Sequence, residues 1–434
     1  MTSEAPRLRY LPNTLSPPCI STYDDRKGVI KALEEAIYDA LTLMNSQTRL
    51  HTFGSDKLYT GNVGISLMYM RLWKQLGRRF DGVHFETLAK RLIPNLREPN
   101  LETLHVQVSP WLGGCGAAFV KLLQEIQLDD FKNGPDDTAM TVIRLNLLSA
   151  LDTYPDPVPH EVLCGYAGLL WALLNLRANH PTQINADLYS DDKIETIVGK
   201  IMSAGEEGAE SYSTSGLMWE LRQKPYLGAL HGVAGICTVL LQIPKFLLDP
   251  IMPRILDTVK MLCDSTRECN GFLPSRIHVA GFKEKNEIVQ ICHGSPGLLI
   301  LLATLRRLRP QEWAACGVFA QTLDMVAEVV WQRGYVLKGL GICHGVSGNA
   351  WALLSTGDTK WVGRAVALLL AARNMPPLGD DTRFNLPDHP WSLFEGVAGL
   401  VAAWAEAIVL LENCTEDLCL GYPGLGGMGA KGFL

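Results

Sequence analysis

Two kinds of helical pattern alternate along this 434-residue chain. Dense apolar runs, which a helix could bury on most of its sides, alternate with more amphipathic segments whose charges recur at helical spacing. No alternating run of useful length predicts a β-strand. The apolar runs are Ile65–Trp73, Leu169–Leu176, Ile236–Leu248, Leu298–Leu305 and Leu400–Leu411, and the amphipathic segments include Val29–Met44, Lys193–Met202, Ile255–Cys263, Trp313–Trp331 and Trp361–Asn374.

A Gly-x-x-Gly pair recurs along the chain at intervals of roughly 50 to 70 residues, a spacing typical of repeat architectures. One such pair is uninformative, but seven in register indicate seven helix hairpins that bury their apolar faces against one another. Glycine permits positive φ and close backbone approach where each inner helix begins. The sequence therefore predicts an all-α fold, a seven-fold α/α toroid (a double-layered α/α barrel) with the glycine turns at one end. The pairs are Gly61–Gly64, Gly113–Gly116, Gly165–Gly168, Gly232–Gly235, Gly294–Gly297, Gly345–Gly348 and Gly396–Gly399.

The composition is that of an enzyme-sized globular domain, with 47% hydrophobic residues. A net charge of −6 argues against nucleic acid or an anionic membrane as an obligatory partner, while peripheral membrane association stays open. The 11 cysteines are odd in number and several lie within apolar runs, which favours a reducing compartment. Because residues 1–25 contain no long apolar core, no signal peptide is evident, and we expect a cytoplasmic protein.

Two nearly identical phrases carry the candidate chemistry, Ile-Cys-His-Gly at 291–294 and again at 342–345. Cys292, Cys343 and His344 suit a tetrahedral zinc site with three protein ligands and one open position, as a catalytic metal requires. The alternative is that the cysteines recur only because the whole unit recurs, without a metal. The other turns keep the glycines but lack the Cys-His pair, which favours the metal site.

The chain resembles the lanthionine synthetase C-like (LanC-like) family, and its stand-alone eukaryotic branch more than the bacterial lantibiotic cyclases. The resemblance rests on the seven glycine turns, the two Cys-His-Gly phrases, Ala-Leu-His-Gly-Val-Ala-Gly at 229–235 and Pro-Asp-His-Pro-Trp-Ser-Leu-Phe-Glu-Gly at 387–396. It implies one zinc per chain held by Cys292, Cys343 and His344, and attack of a zinc-bound thiolate on dehydroalanine or dehydrobutyrine. The eukaryotic branch implies glutathione as the thiol, and a dehydrated peptide or protein, or a small electrophile, as its partner.

The same resemblance suggests how the chain is divided. Residues 1–25 are expected to be an irregular N-terminal segment, and residues 26–415 a single LanC-like α/α barrel. Residues 416–434 form a glycine-rich tail, which is expected to be a mobile end, although its Gly-Tyr-Pro-Gly start could fold over the barrel mouth.

Conjugate addition produces an enolate, which a general acid must protonate. His231 lies where the family keeps an active-site histidine, and its alternative role is to cap a helix turn. Glu161 lies where bacterial cyclases carry an acid/base aspartate, and its alternative is a capping carboxylate. His293 is interpreted as a neighbour of the metal, because a fourth protein ligand would close the zinc site. Gln290 departs from the family, in which histidine is frequent.

Lys338 matches a lysine that contacts glutathione in eukaryotic relatives. Asp388 is a second predicted glutathione contact, because Pro387 and Asp388 match those relatives. Arg383 is a third, since glutathione has two carboxylates that need cationic partners. The chain has Asn385 where those relatives have an arginine, so Arg383 or Arg373 would have to replace it, or the thiol differs.

Three other functions stay open at this point. An α/α barrel can house a carbohydrate-active enzyme, for which Glu161, Asp388 and Glu395 could serve as carboxylates. The chain could instead be a non-catalytic, zinc-stabilised scaffold that binds glutathione or another small ligand in signalling. It could also form thioethers in the biosynthesis of a natural product.

Overall fold

The computed structural model describes residues 9–48, 57–77, 79–96, 107–128, 137–151, 158–179, 188–277, 287–412 and 418–426. These residues are helical apart from loops, isolated bridges and one short hairpin, in which β1 (Arg79–Phe80) pairs antiparallel with β2 (Val83–His84). A 3₁₀ turn, Ala372–Asn374, follows the fourteenth helix. The helices in chain order are α1 (Tyr23–Thr48), α2 (Asn62–Leu76), α3 (Phe85–Lys90), α4 (Gly116–Leu128), α5 (Asp137–Leu151), α6 (Tyr166–Asn179), α7 (Asp191–Tyr212), α8 (Val233–Leu240), α9 (Lys245–Glu268), α10 (Ser295–Leu308), α11 (Pro310–Ala314), α12 (Gly317–Arg333), α13 (Val346–Leu354), α14 (Thr359–Ala371) and α15 (Val397–Leu411).

Seven of the described helices form a closed inner ring. Each begins at a glycine turn and packs against the next, and α15 packs against α2 to complete the circle. The apolar runs explain this position, because a helix that is apolar on all sides must be buried on all sides. Every residue of α8 is buried, and nearly every residue of α15. The inner helices are α2, α4, α6, α8, α10, α13 and α15.

Seven amphipathic helices form the outer layer of the described chain. Each packs its apolar face on the inner ring: α1 on α15, α3 on α2, α5 on α4, α7 on α6, α9 on α8, α12 on α10 and α13, and α14 on α13. The predicted toroid of seven inner and seven outer helices is therefore confirmed. None of the described helices is long and apolar enough to cross a membrane.

Two predicted segments are divided in the structure. The apolar run Ile236–Leu248 is not one helix, because α8 ends at Leu240 and Pro244, which has no backbone N–H to donate, stands at the start of α9. The segment Trp313–Trp331 is broken at Cys316, whose extended backbone (φ −129°, ψ 96°) separates α11 from α12.

The glycine turns are joined to one another at one end of the barrel, as predicted. Backbone hydrogen bonds run from turn to turn around the ring, and the third and fourth turns meet instead through the side chains of Glu161 and His231. The six backbone bonds run from the N–H of Tyr59 to Trp111 (3.2 Å), Ser109 to Cys164 (3.3 Å), Ala229 to Ile291 (3.1 Å), Cys292 to Cys343 (3.2 Å), Cys343 to Phe394 (2.9 Å) and Phe394 to Tyr59 (3.3 Å).

Close backbone approach, more than positive φ, explains the glycine pairs. A Cβ on Gly348 would lie 1.9 Å from the carbonyl oxygen of Ile342, which is closer than these two atoms can approach. Among the fourteen paired glycines only Gly294 has a left-handed φ, of 127°. The expectation of positive φ is therefore wrong for the other thirteen, whereas the expected steric need for glycine is confirmed.

The prediction of a mobile C-terminal end is wrong for residues 418–426. Leu420, Tyr422 and Leu425 are each at most 2% exposed, and they lie within the barrel. Residues 416, 417 and 427–434 of the predicted tail are outside the described residues. The first helix begins at Tyr23, close to the predicted boundary at residue 26, and the division into domains stays a prediction.

Candidate active site

Each glycine turn fixes the direction of the two residues that precede its first glycine. The residue two positions before that glycine is buried in six of the seven turns, whereas the residue directly before it is partly exposed in all seven. Because the turns are joined in a ring, these partly exposed side chains surround one barrel mouth. We call them the mouth residues: Thr60, Leu112, Cys164, His231, His293, His344 and Glu395.

Three side chains from the fifth and sixth turns form a donor set for a metal. The Sγ atoms of Cys292 and Cys343 and a ring nitrogen of His344 all lie within 4.8 Å of one another. Both cysteines are buried and His344 is partly exposed, so the set opens towards the mouth. The backbone bond from the N–H of Cys292 to the carbonyl of Cys343 holds the two turns together.

The two sulfur atoms titrate as a coupled pair. A hydrogen bond with Cys343 lowers the pKa of the Cys292 thiol, against the effect of burial and with help from the Lys338 ammonium. The same hydrogen bond, together with burial, raises the pKa of Cys343 well above its usual value. One thiolate thus forms readily and the second needs a nearby cation. A divalent metal bound to both sulfurs would supply that charge, so this donor set fits zinc.

His231 and Glu161 form a pair beside the donor set. Nδ1 of His231 lies 3.5 Å from Oε2 of Glu161, too long for a strong hydrogen bond but close enough for an ion pair. Burial lowers the pKa of His231, but the Glu161 carboxylate, with help from the charge of Cys343, outweighs burial and the pKa is raised. Glu161 is 2% exposed and also accepts the backbone N–H groups of Leu163 (2.8 Å) and Cys164 (2.5 Å). The carboxylate therefore caps its turn and holds the imidazole as well.

His293 lies between His231 and Tyr226. Its ring stacks on His231 at 5.1 Å between centroids and meets Tyr226 at 4.9 Å. Burial and the charges of His231, Lys338 and His344 lower the pKa of His293 to about 4. Its Nδ1 is buried and has no hydrogen-bond partner among the described residues. The fifth turn therefore presents a neutral imidazole to the ring of His231.

The predicted glutathione contacts occupy two adjoining segments. The backbone N–H of Asn385 bonds to the carbonyl of Leu337 (2.8 Å), which places the loop of Arg383 and Asp388 beside Lys338. Lys338 influences the charge of both Cys292 and His293, and no ion pair engages it within the described part of the chain.

The two arginines that could replace the missing cation are each engaged by a carboxylate. Nε and Nη2 of Arg383 donate to the Asp381 carboxylate at 2.9 and 2.6 Å. Arg373 pairs with Asp39 of the outer helix α1 at 3.1 Å. Asp388 is exposed on its loop. The structure therefore places Lys338 within electrostatic range of Cys292. It pairs Arg383 with Asp381 and Arg373 with Asp39 in the outer layer.

The lanthionine synthetase C-like family model matches residues 52–409. This chain belongs to the LanC-like family. The Danio rerio protein named glutathione S-transferase LANCL1 is 27% identical over 361 residues, which cover 81% of this chain and 82% of the relative. The Arabidopsis thaliana LanC-like protein GCL1 is 30% identical over 259 residues, 58% of this chain and 56% of the relative. The solved structure of nisin cyclase has the same fold, with a TM-score of 0.56 and 16% identity, over 91% of this chain and 100% of that one.

Tyr59 at this LanC-like site is not predicted from the sequence, and Gln290 is predicted there only as a departure from the family. The phenol of Tyr59 is largely buried, and burial together with the charge of Cys343 raises its pKa. Its ring stacks on Phe394 at 4.6 Å. Gln290, the departure noted from the sequence, places Oε1 3.8 Å from Sγ of Cys292 and accepts its S–H. Position in the turn was the available signal for Tyr59, which stands two residues before Gly61 as Cys343 stands before Gly345.

Proposed function

We propose that this LanC-like protein adds glutathione to dehydroalanine or dehydrobutyrine in a peptide or protein and so forms a thioether. The observation that carries the proposal is the position of a two-thiol, one-imidazole donor set beside a histidine–carboxylate pair at one barrel mouth. The names of two similar proteins support it: the zebrafish relative is called a glutathione S-transferase, and nisin cyclase is named for ring closure.

Cys292, Cys343 and His344 would hold one zinc ion and leave a coordination position towards the mouth. When bound, zinc supplies the Lewis acidity that lowers the pKa of a thiol at that position. The protein contributes orientation, since both sulfurs come from buried turn positions linked by a backbone hydrogen bond. The inner helices also direct their N-termini to this end, and their dipoles favour anionic sulfur there.

The addition needs one proton and no further reactant. The thiolate sulfur of glutathione forms a bond to the β-carbon of the alkene, and the π electrons move onto the carbonyl to give an enolate. His231, as imidazolium, then donates a proton to the α-carbon and becomes neutral. The proton released when the thiol ionised restores the imidazolium, so that overall a thiol adds across a double bond.

Glu161 acts as a positioning residue in this scheme. Its carboxylate is fixed by two backbone N–H groups of its own turn, so it cannot follow the imidazole if the ring moves. The charged form of His231 is therefore favoured at one position, where its Nδ1 lies 3.5 Å from Oε2 of Glu161. We expect this pair to keep His231 charged until the enolate forms.

Lys338 would bind a carboxylate of glutathione, because its ammonium lies near Cys292 and His293 and is otherwise unpaired among the described residues. Asp388, exposed on the adjoining loop, would accept hydrogen bonds from the ammonium group of glutathione. Arg383 would contribute only through Nη1, since Asp381 accepts from Nε and Nη2.

Zinc analysis combined with a reaction assay tests this function. Purified protein is incubated with glutathione and a peptide that contains dehydroalanine, and the adduct is quantified by mass spectrometry. We expect about one zinc per chain and an adduct whose yield depends on His231. His389, exposed on the loop beside Trp391, provides a matched His389→Ala control that should leave turnover unchanged. Zinc and glutathione binding without any adduct would instead support the non-catalytic scaffold.

A further inference from the structure

The last described residues, 418–426, form a hairpin inside the inner ring, which we call the luminal hairpin. It contacts side chains of α2, α13 and α15, and it reaches Gln242 beyond the end of α8. Tyr422 and Gly426 pair across the hairpin. A Cβ on Gly426 would lie 1.8 Å from Oε1 of Gln242, so the backbone fits closely against the ring. The hairpin therefore fills the centre of the barrel.

Buried polar groups of the inner helices hold the hairpin by its backbone. Oε1 of Glu406 accepts the N–H of Gly421 at 2.8 Å, and Nη2 of Arg71 donates to the carbonyl of Gly421 at 2.7 Å. Arg71 and Glu406 also pair with each other at 3.3 Å, and both side chains are completely buried. Nε2 of Gln242 donates to the carbonyl of Leu425 at 2.6 Å. Charged groups on apolar helices are costly unless they are satisfied, and here the hairpin backbone satisfies them.

Tyr422, at the base of the hairpin, reaches the turn that carries a predicted metal ligand. The hydroxyl of Tyr422 donates to the carbonyl of Ile342 at 3.0 Å, and Ile342 directly precedes Cys343. The ring of Tyr422 lies edge-on to Trp351 and Phe394, at 5.5 and 6.2 Å between centroids.

We propose that the luminal hairpin is a positioning element of the metal centre, in which Tyr422 fixes the Ile342–Cys343 peptide and so aims the Cys343 sulfur. The inference rests on the metal site proposed above. Cys343 is then held from two sides: its N–H bonds to Phe394, and the preceding carbonyl bonds to Tyr422. Groups that orient metal ligands in this way typically contribute about 10- to 100-fold to metal affinity.

The test is Tyr422→Phe in the full chain, with Tyr166→Phe as the matched control. Tyr166 is also buried and its hydroxyl donates to the carbonyl of Ala150 at 2.8 Å, towards the outer helix α5. The apo proteins are titrated with zinc against a chromophoric chelator. We expect the Kd for zinc to rise about ten-fold in Tyr422→Phe and to stay within about two-fold of wild type in Tyr166→Phe. Hydrogen exchange of the amides of residues 342–344 in apo-protein should accelerate only in Tyr422→Phe.

Equal zinc affinity in wild type and Tyr422→Phe, or the same loss in both variants, would overturn the proposal. If Tyr422→Phe does not fold, Gln242→Met releases the other end of the hairpin with Tyr422 intact, and unchanged amide exchange at residues 342–344 would again overturn it. A wild-type protein that binds no zinc would refute the proposed function and this inference together. A wild type that binds zinc, with an unaffected Tyr422→Phe, would refute this inference alone.

Discussion

The two stacked histidines should differ sharply when each is replaced by alanine. The pKa of His293 is about 4, so only about one His293 in a thousand is protonated at pH 7. The pKa of His231 is raised beside Glu161, so this ring holds a proton more readily than His293 does. General acid catalysis typically contributes about 10²- to 10⁴-fold. His231→Ala should lower turnover by that factor, and His293→Ala by less than about ten-fold.

Turnover is measured as the rate of glutathione addition to a dehydroalanine peptide, with the zinc content of each variant determined on the same sample. Both variants should keep their zinc, because neither histidine belongs to the donor set. A fully active His231→Ala together with an inactive His293→Ala would show that the roles are reversed. If both variants stay active, the proton comes from water or from Glu161, and the acid step is wrong.

Three further predictions concern the metal, the pH profile and the buried ion pair. Cys343→Ala should lose most of its zinc, measured by metal analysis. It should keep its helical circular dichroism, because the repeats carry the fold. Full zinc occupancy in this variant would disprove the ligand assignment. Activity should fall as the pH rises through the pKa of His231, and Glu161→Gln should move that loss to lower pH, because the carboxylate that raises this pKa is then gone while burial still lowers it. An unmoved pH–rate profile would contradict the pairing. Glu406→Ala removes the carboxylate that pairs with the buried Arg71 guanidinium and should reduce the free energy of unfolding by about 3–5 kcal/mol in denaturant titrations. A loss below about 1 kcal/mol would show that the site admits water.

The barrel was predictable from the sequence because its determinants are local. Helical periodicity distinguishes inner from outer helices within each unit, and the glycines mark where every inner helix must approach a neighbouring backbone. The luminal hairpin was not predictable in this way, because its partner Arg71 is 350 residues away from Gly421 in sequence. Its signal was present as two charges within apolar runs, Ile65–Trp73 and Leu400–Leu411, since such charges need buried partners.

The candidate site was predictable to a different degree for different residues. Cys292, Cys343 and His344 come together as predicted, because two equivalent turns of adjacent repeats supply them. Arg383 could not be judged from the sequence, since its pairing with Asp381, two residues away, depends on the conformation of an exposed loop. Tyr59 was missed because a phenol matches no metal or acid–base pattern.

The arrangement of the mouth explains how one repeated turn can supply different chemistry. Directions at the mouth are set mainly by the glycines and by the backbone hydrogen bonds that join the turns, together with the Glu161–His231 contact between the third and fourth turns. Substitution of a mouth residue such as His231 should therefore change reactivity and leave the fold intact. Substitution of Gly348 should instead disturb the fold and the metal site together, because any Cβ would displace the carbonyl of Ile342 and with it the peptide that Tyr422 and Cys343 share. Because the turn backbones carry the fold and the mouth residues carry the chemistry, a thiol, an imidazole and a carboxylate can occupy equivalent positions around one mouth without altering the barrel that holds them.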